Sequence, residues 1–138
     1  PPVAVFWQSP LAMFDGIALR EGRFPVVASA GDTIAISLTY EMWKGNGIDA
    51  QVFVHALDGS GGMLAQDDHA PAGGNYPTDF WRPGECVTES FALKLPRNAP
   101  SVLTLVTGFY DTRTLKRLST GMPNDVVTLG QVRVSPAP

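Results

Sequence analysis

The 138-residue sequence predicts an all-β fold, an antiparallel β-sandwich of about seven to nine short strands. Three observations predict it. Apolar and polar residues alternate with a period of two in several short windows, which sorts them onto the two faces of a strand and would scatter them around a helix. Turn-forming residues recur at roughly ten-residue intervals, with no strand–helix–strand alternation. The 14 glycines and 12 prolines are spread along the whole chain and leave few stretches long enough for an uninterrupted helix.

The elements follow in order. Within the first 28 residues, Ile17–Leu19 and Val26–Val27 read as short edge strands. Thr33 to Trp43 is the clearest strand: Ile34, Ile36, Leu38, Tyr40 and Met42 alternate with Ala35, Ser37, Thr39 and Glu41, after a Gly31-Asp32 turn. Gln51 to Asp58 is a second strand, and Asp58-Gly59-Ser60-Gly61-Gly62 turns it into a return strand over Met63 to Gln66. Asp67 to Glu85, punctuated by Pro71, Gly73, Gly74, Pro77, Pro83 and Gly84, reads as one long loop carrying Tyr76, Phe80 and Trp81. Val87 to Leu95 resumes the alternation, and Pro96 to Pro100 connects it to Val102–Tyr110, which is apolar on both faces as a central strand should be. Asp111–Thr114 reads as a hairpin turn into Leu115–Leu118, and Val126 to Val134 as the last strand, kinked at Gly130. The expected organisation is one domain over residues 1–134, immunoglobulin-like in its strand count, with a Pro-rich tail at 135–138; a closed barrel is the competing architecture.

Composition removes several function classes. Hydrophobic residues make up 44% and charged residues 17%, which excludes a disordered tail and a charged coiled coil. Ten basic residues stand against 13 acidic ones with no Lys/Arg block, so no basic stripe exists for nucleic acid. No apolar run approaches the roughly 20 residues that span a bilayer, so this segment is expected not to insert. The chain starts at Pro1-Pro2 without an initiator Met and is expected to be a piece of a longer polypeptide.

Catalytic patterns are thin. Ser60 sits in a flexible Gly-rich turn and not in a Gly-x-Ser-x-Gly elbow. The lone Cys86 reads as a small residue beside a strand. His55 and His69 have no Cys or His at zinc-ligand spacing, which leaves an oxygen-ligand calcium site at Asp67 and Asp68 as the only metal pattern to weigh, and turn capping is the plainer role for that pair. No metal or other cofactor and no catalytic residue is therefore expected. His55 shares a strand face with Phe53 and Leu57 and reads as a hydrogen-bonded structural residue, a buried polar partner for the loop. The loop is the most suggestive feature. Tyr76, Phe80 and Trp81, with Asp68, supply the flat rings and polar groups with which glycan-binding surfaces hold sugars. The plainer alternative has Trp81 and Tyr76 folded inward to anchor the loop, with Asp68 accepting backbone N–H bonds.

A series of phrases carries a resemblance: Val52-Phe53-Val54-His55-Ala56-Leu57, Gln66-Asp67-Asp68-His69-Ala70-Pro71, Gly74-Asn75-Tyr76-Pro77-Thr78, Trp81-Arg82-Pro83-Gly84-Glu85, Leu93-Lys94-Leu95-Pro96, Gly108-Phe109-Tyr110-Asp111 and Arg117-Leu118. In that order the chain resembles, from about Phe14 to Val134, a β-sandwich domain attached to bacterial polytopic membrane glycosyltransferases related to protein O-mannosyltransferases. The resemblance implies an extracytoplasmic, membrane-tethered appendage without the transfer site, whose partners are the membrane part of its parent protein or a cell-envelope glycan. The expected function is thus a non-catalytic accessory domain of such a transferase. The alternative is a carbohydrate-binding module of a secreted glycoside hydrolase.

Overall fold

A computed structural model describes residues 12–138. The part of the expected domain before Ala12 lies outside the described residues. Nine strands of the described residues form two sheets: β1 (Ala12–Phe14), β2 (Ile17–Arg23), β3 (Val27–Ser29), β4 (Thr33–Met42), β5 (Ala50–Leu57), β6 (Met63–His69), β7 (Cys86–Lys94), β8 (Val102–Asp111) and β9 (Val127–Ser135). The four-stranded sheet has the order β1-β2-β4-β7, and the five-stranded sheet β3-β9-β8-β5-β6. Short 3-10 turns lie between the strands at Pro71–Gly74, Thr78–Phe80 and Pro123–Asp125.

The period-two pattern does what it predicts in β4: Ile34, Ile36, Leu38, Tyr40 and Met42 are buried between the sheets. Opposite them stand Val52 and Val54 of β5, Leu103, Leu105 and Phe109 of β8, and Leu129 and Val132 of β9. Phe14, Tyr40 and Phe109 meet edge to face at the centre, with Tyr40 and Phe109 centroids 4.9 Å apart. The Tyr40 hydroxyl donates to Thr107 Oγ1 at 3.0 Å, and Thr107 donates onward to the Phe53 carbonyl at 2.8 Å. That chain satisfies two hydroxyls inside the core, and burial pushes the Tyr40 phenol well above its ordinary range.

Several expectations change. β3 pairs with β9 in parallel, Val27 opposite Arg133 and Ser29 opposite Ser135, so the five-stranded sheet is mixed and not purely antiparallel. β2 runs on to Arg23 through a bulge between Leu19 and Glu21. β6 continues to His69, so Asp67 and Asp68 belong to a strand and not to the long loop. Ser135 closes β9 instead of opening a tail. Leu115–Leu118 forms no strand. Beyond Thr107, opposite which β9 begins at Val127, Arg117 and Leu118 occupy the vacated edge of β8, through a bridge from Tyr110 to Arg117 and a bond from Leu118 N–H to the Phe109 carbonyl at 2.9 Å. The kink expected at Gly130 is a register shift opposite Leu105, and a Cβ there would stand 2.9 Å from the Phe24 ring.

Candidate functional site

On β5 the even-numbered residues face the core, and Gln51, Phe53 and His55 face outward. Their neighbours on that outer face are Asp68 and Gln66 of β6, and Tyr110, Gly108 and Val106 of β8. Gly108 explains the local relief. A Cβ at this position would lie 2.5 Å from Phe53 Cζ, so the glycine lets the Phe53 ring lie flat across β8, and Phe53 is fully buried although it is on the outer face. His55 stacks on that ring with centroids 4.4 Å apart, and the Arg117 guanidinium carbon sits 4.9 Å from the ring centroid.

Around this buried ring lies an open hollow of about 300 Å³ lined by Phe53, His55, Asp68, Tyr110, Leu115 and Arg117. Its polar groups are held in place. His55 Nε2 and Asp68 Oδ1 are 3.1 Å apart, and an ionised carboxylate only accepts, so Nε2 carries the proton in the neutral ring. Burial pushes the His55 imidazole below its ordinary pKa and Arg117 pushes the same way, against the pull of Asp68. The Tyr110 hydroxyl donates to Gln51 Oε1 at 2.6 Å, and burial together with the Asp68 charge raises its pKa. Leu115 is 73% exposed and has a φ of 62°, a left-handed conformation that a branched side chain rarely takes.

A second polar cluster lies at the margin between the sheets. Asp67 and His69 point inward from β6, on the opposite side from Asp68. His69 Nδ1 is 2.9 Å from Asp67 Oδ1, and Nε2 is 3.0 Å from Glu89 Oε1. Glu89, only 6% exposed on β7, also accepts the Ala72 N–H at 3.0 Å, and Asp67 Oδ2 accepts the Ala92 N–H at 2.9 Å. Both imidazole nitrogens face carboxylates and must donate, which favours the imidazolium. Burial pulls its pKa down, but the bonds and charges of Asp67 and Glu89 outweigh it and hold His69 above its ordinary range. Every oxygen in this seam is committed to structure. Inward charges of this kind also blunt two sheet edges.

The loop after β6 is pinned at several points. Trp81 is 4% exposed in the core, and its indole N–H donates to the Tyr76 carbonyl at 2.9 Å. Thr78, fully buried, accepts the Ala50 N–H at 2.8 Å and donates to the Ile48 carbonyl at 2.6 Å. The Tyr76 hydroxyl donates to Glu85, a bond that raises the phenol's pKa and lowers the carboxylate's. Phe80, 65% exposed, is the loop ring that faces solvent. Of the four residues singled out from the sequence, Asp68 thus lines the hollow, whereas Tyr76, Phe80 and Trp81 lie together on the loop, with Tyr76 and Trp81 centroids 6.3 Å apart. Asp68 and His55 bond to each other and not to the loop; the loop's own carboxylate partners are Glu85 and Glu89.

Sequence reasoning misses Tyr110, Leu115 and Arg117 as site residues. Gly108 is the available signal, a glycine inside a strand apolar on both faces. Cys86 is exposed and unpaired at the start of β7. Among the described residues no serine, threonine or cysteine side chain bonds either imidazole, and no three His, Cys, Asp or Glu side chains gather at metal-binding geometry. A hollow of about 500 Å³ beside β3 and β4 has Asp32 as its one ionisable group, and Asp32 accepts the Ser29 N–H at 2.9 Å. Among the described residues no helix is long and apolar enough to cross a membrane.

No family model matches the chain, and no curated protein matches it. Solved structures do share its fold. The C-terminal domain of Wzt is similar at a TM-score of 0.58 and 12% identity, over 100% of this chain and 81% of that one. A CARDB domain from Pyrococcus furiosus, in complex with di-metal ions, is similar at 0.52 and 15% identity, over 91% and 99%. A β-glucosidase from Listeria innocua, in complex with glucose, is similar at 0.50 and 14% identity over 91% of this chain, which spans only 16% of that enzyme. At these identities the likeness is one of fold.

Proposed function

We propose that this domain is a non-catalytic carbohydrate-binding accessory module and that it holds a sugar on the outer face of the five-stranded sheet. The observation that carries the reading is the hollow over Phe53, where a half-buried Tyr110 ring stands beside the fixed polar groups of Asp68, His55 and Arg117. A ring lining a small hollow gives a sugar's apolar face something to cover, and a few convergent donors and acceptors orient its hydroxyls. The carboxylate oxygens around His69 are all committed to structure, which favours binding over bond breaking. The loop rings have a different role in this reading: Trp81 and Tyr76 hold the loop to the core, and Phe80 is the ring left for contact with a longer ligand.

The fold shared with a segment of a β-glucosidase supports a glycoside hydrolase as the parent chain, and the series of sequence phrases supports a membrane glycosyltransferase. The hydrolase-associated module is the better-supported form, because a shared three-dimensional architecture backs it while no family model matches the chain. In either parent the module is immunoglobulin-like, displayed outside the cytoplasm, and works on glycan with no cofactor of its own. Isothermal titration of the chain with a panel of soluble oligosaccharides tests this. At least one should bind, Tyr110→Ala should weaken it by about tenfold, and Phe80→Ala should leave a disaccharide unaffected. Absence of binding across the panel, or binding lost with Phe80 and kept without Tyr110, would overturn the assignment.

A further inference from the structure

The hollow over Phe53 does not stand alone. A second one, about 270 Å³, adjoins it and shares His55 and Arg117 as lining residues; Leu57, Met63, Val106 and Val126 make up most of the remaining wall. Two adjoining compartments with a common partition, of about 300 and 270 Å³, give room for more than one sugar unit. Their electrostatics differ. Asp68 lines only the first compartment, where its charge offsets that of Arg117. In the second, Arg117 is the one group that stays charged at neutral pH.

Arg117 is also held for this purpose. Its guanidinium lies over the buried Phe53 ring, and Nη1 donates to the Asn124 carbonyl at 3.0 Å, so that carbonyl is not free to repel an anion. No carboxylate of the described residues lies within ion-pair distance of it. Two carboxylates bordering this compartment are turned to their own loops: Asp58 Oδ1 accepts from the Ser60 N–H, the Ser60 hydroxyl and the Gly62 N–H at 2.7–2.9 Å, and Asp125 Oδ1, next to Asn124, accepts the Thr120 N–H at 3.2 Å. An arginine fixed by stacking, with donors to spare and no acidic partner, is suited to a planar carboxylate.

We propose, building on the saccharide reading above, that the groove is polarised and selects an acidic oligosaccharide: a neutral unit against Tyr110 and Asp68, and the carboxylate of an adjacent uronic-acid unit at Arg117. Asp68 sets the direction, since it repels the acidic unit from the first compartment and accepts hydroxyls there.

The test is calorimetric titration of the chain with uronate-containing disaccharides, each compared with its own carboxyl-reduced form. The acidic sugar should bind about tenfold more tightly than its reduced counterpart, and the advantage should shrink at high salt. Arg117→Met, whose straight apolar side chain still covers Phe53, should erase the difference by weakening the acidic sugar about tenfold more than the reduced one. Equal binding of both forms by the unaltered chain would overturn the polarised groove while leaving sugar binding intact. Weakening of both forms alike by Arg117→Met would overturn it too. Failure of every saccharide, acidic or neutral, would remove the underlying saccharide reading as well.

Discussion

His69 Nε2 lies 3.0 Å from a Glu89 carboxylate oxygen, and this contact joins the edge strand of the five-stranded sheet to the edge strand of the four-stranded one. Glu89 is an inward-facing carboxylate on a strand face otherwise occupied by Phe91 and Leu93, and among the described residues its partners at this margin are the imidazole and the Ala72 N–H. His69→Ala leaves that carboxylate half-satisfied, and urea denaturation at pH 6 should show a loss of about 2–4 kcal/mol.

The two histidines should also give stability a maximum near the ordinary imidazole pKa. His69 is raised in the folded state, so its contribution is complete below about pH 6.5 and is lost as pH rises through the folded value. His55 is lowered, so the folded state binds its proton less readily and stability falls as pH drops below about 6.5. Thermal unfolding across pH 5–8 checks this. His69→Gln should flatten the alkaline side alone and His55→Gln the acidic side alone; a profile unchanged by either substitution would contradict the assignment.

Trp81→Ala should cost about 3–5 kcal/mol, because the indole is enclosed in the core and carries the loop's bond to the Tyr76 carbonyl. Phe80→Ala, one residue earlier, should fall within about 0.5 kcal/mol of the unaltered chain. Equilibrium unfolding of the pair separates the two roles on one short loop.

Gly108→Ala should destabilise by about 1–3 kcal/mol, since the added methyl meets a ring already packed by His55 and Arg117. It should also weaken sugar binding by lifting Phe53 into the hollow. A variant that unfolds less readily and still binds fully would show that the ring has somewhere else to go.

Leu115→Asn tests strain at the rim. Asparagine tolerates the left-handed conformation better than leucine, and Leu115 buries little, so stability should rise by about 0.5–1 kcal/mol. Ligand affinity should fall as the apolar wall is lost. A gain in both would mean that Leu115 has no part in the site.

The parts of the fold legible in the sequence are those whose side chains sort cleanly by face. β4 is the clearest case, and β8 is recognisable because both its faces are covered. β6 cannot be read beyond Gln66 because Asp67, Asp68 and His69 are polar on both sides; on this edge strand the inward His69 meets Glu89 beside the Phe91 ring. The parallel pairing of β3 with β9 joins residues more than a hundred positions apart, and nothing local encodes it. The site is partly hidden for the same reason. Asp68 stands out as a polar residue beside an aromatic run, but Arg117 reaches Phe53 only after β8, β5 and the segment following β8 have come together. Composition allows Trp81 to be a platform or an anchor, and only the folded loop shows where its ring lies.

The alternation of Asp67, Asp68 and His69 has a consequence for how this chain tolerates length changes. Two of these side chains hold the sheets together and the one between them lines the hollow over Phe53, the proposed sugar site. A deletion near Gly59–Gly62 that slid β6 by a single place would exchange these duties, bringing Asp68 inside and turning its neighbours out, so cohesion and recognition would fail together. Only shifts of even parity keep each side chain on its own face, which makes the span of this hairpin a shared constraint on the domain's folding and its proposed ligand.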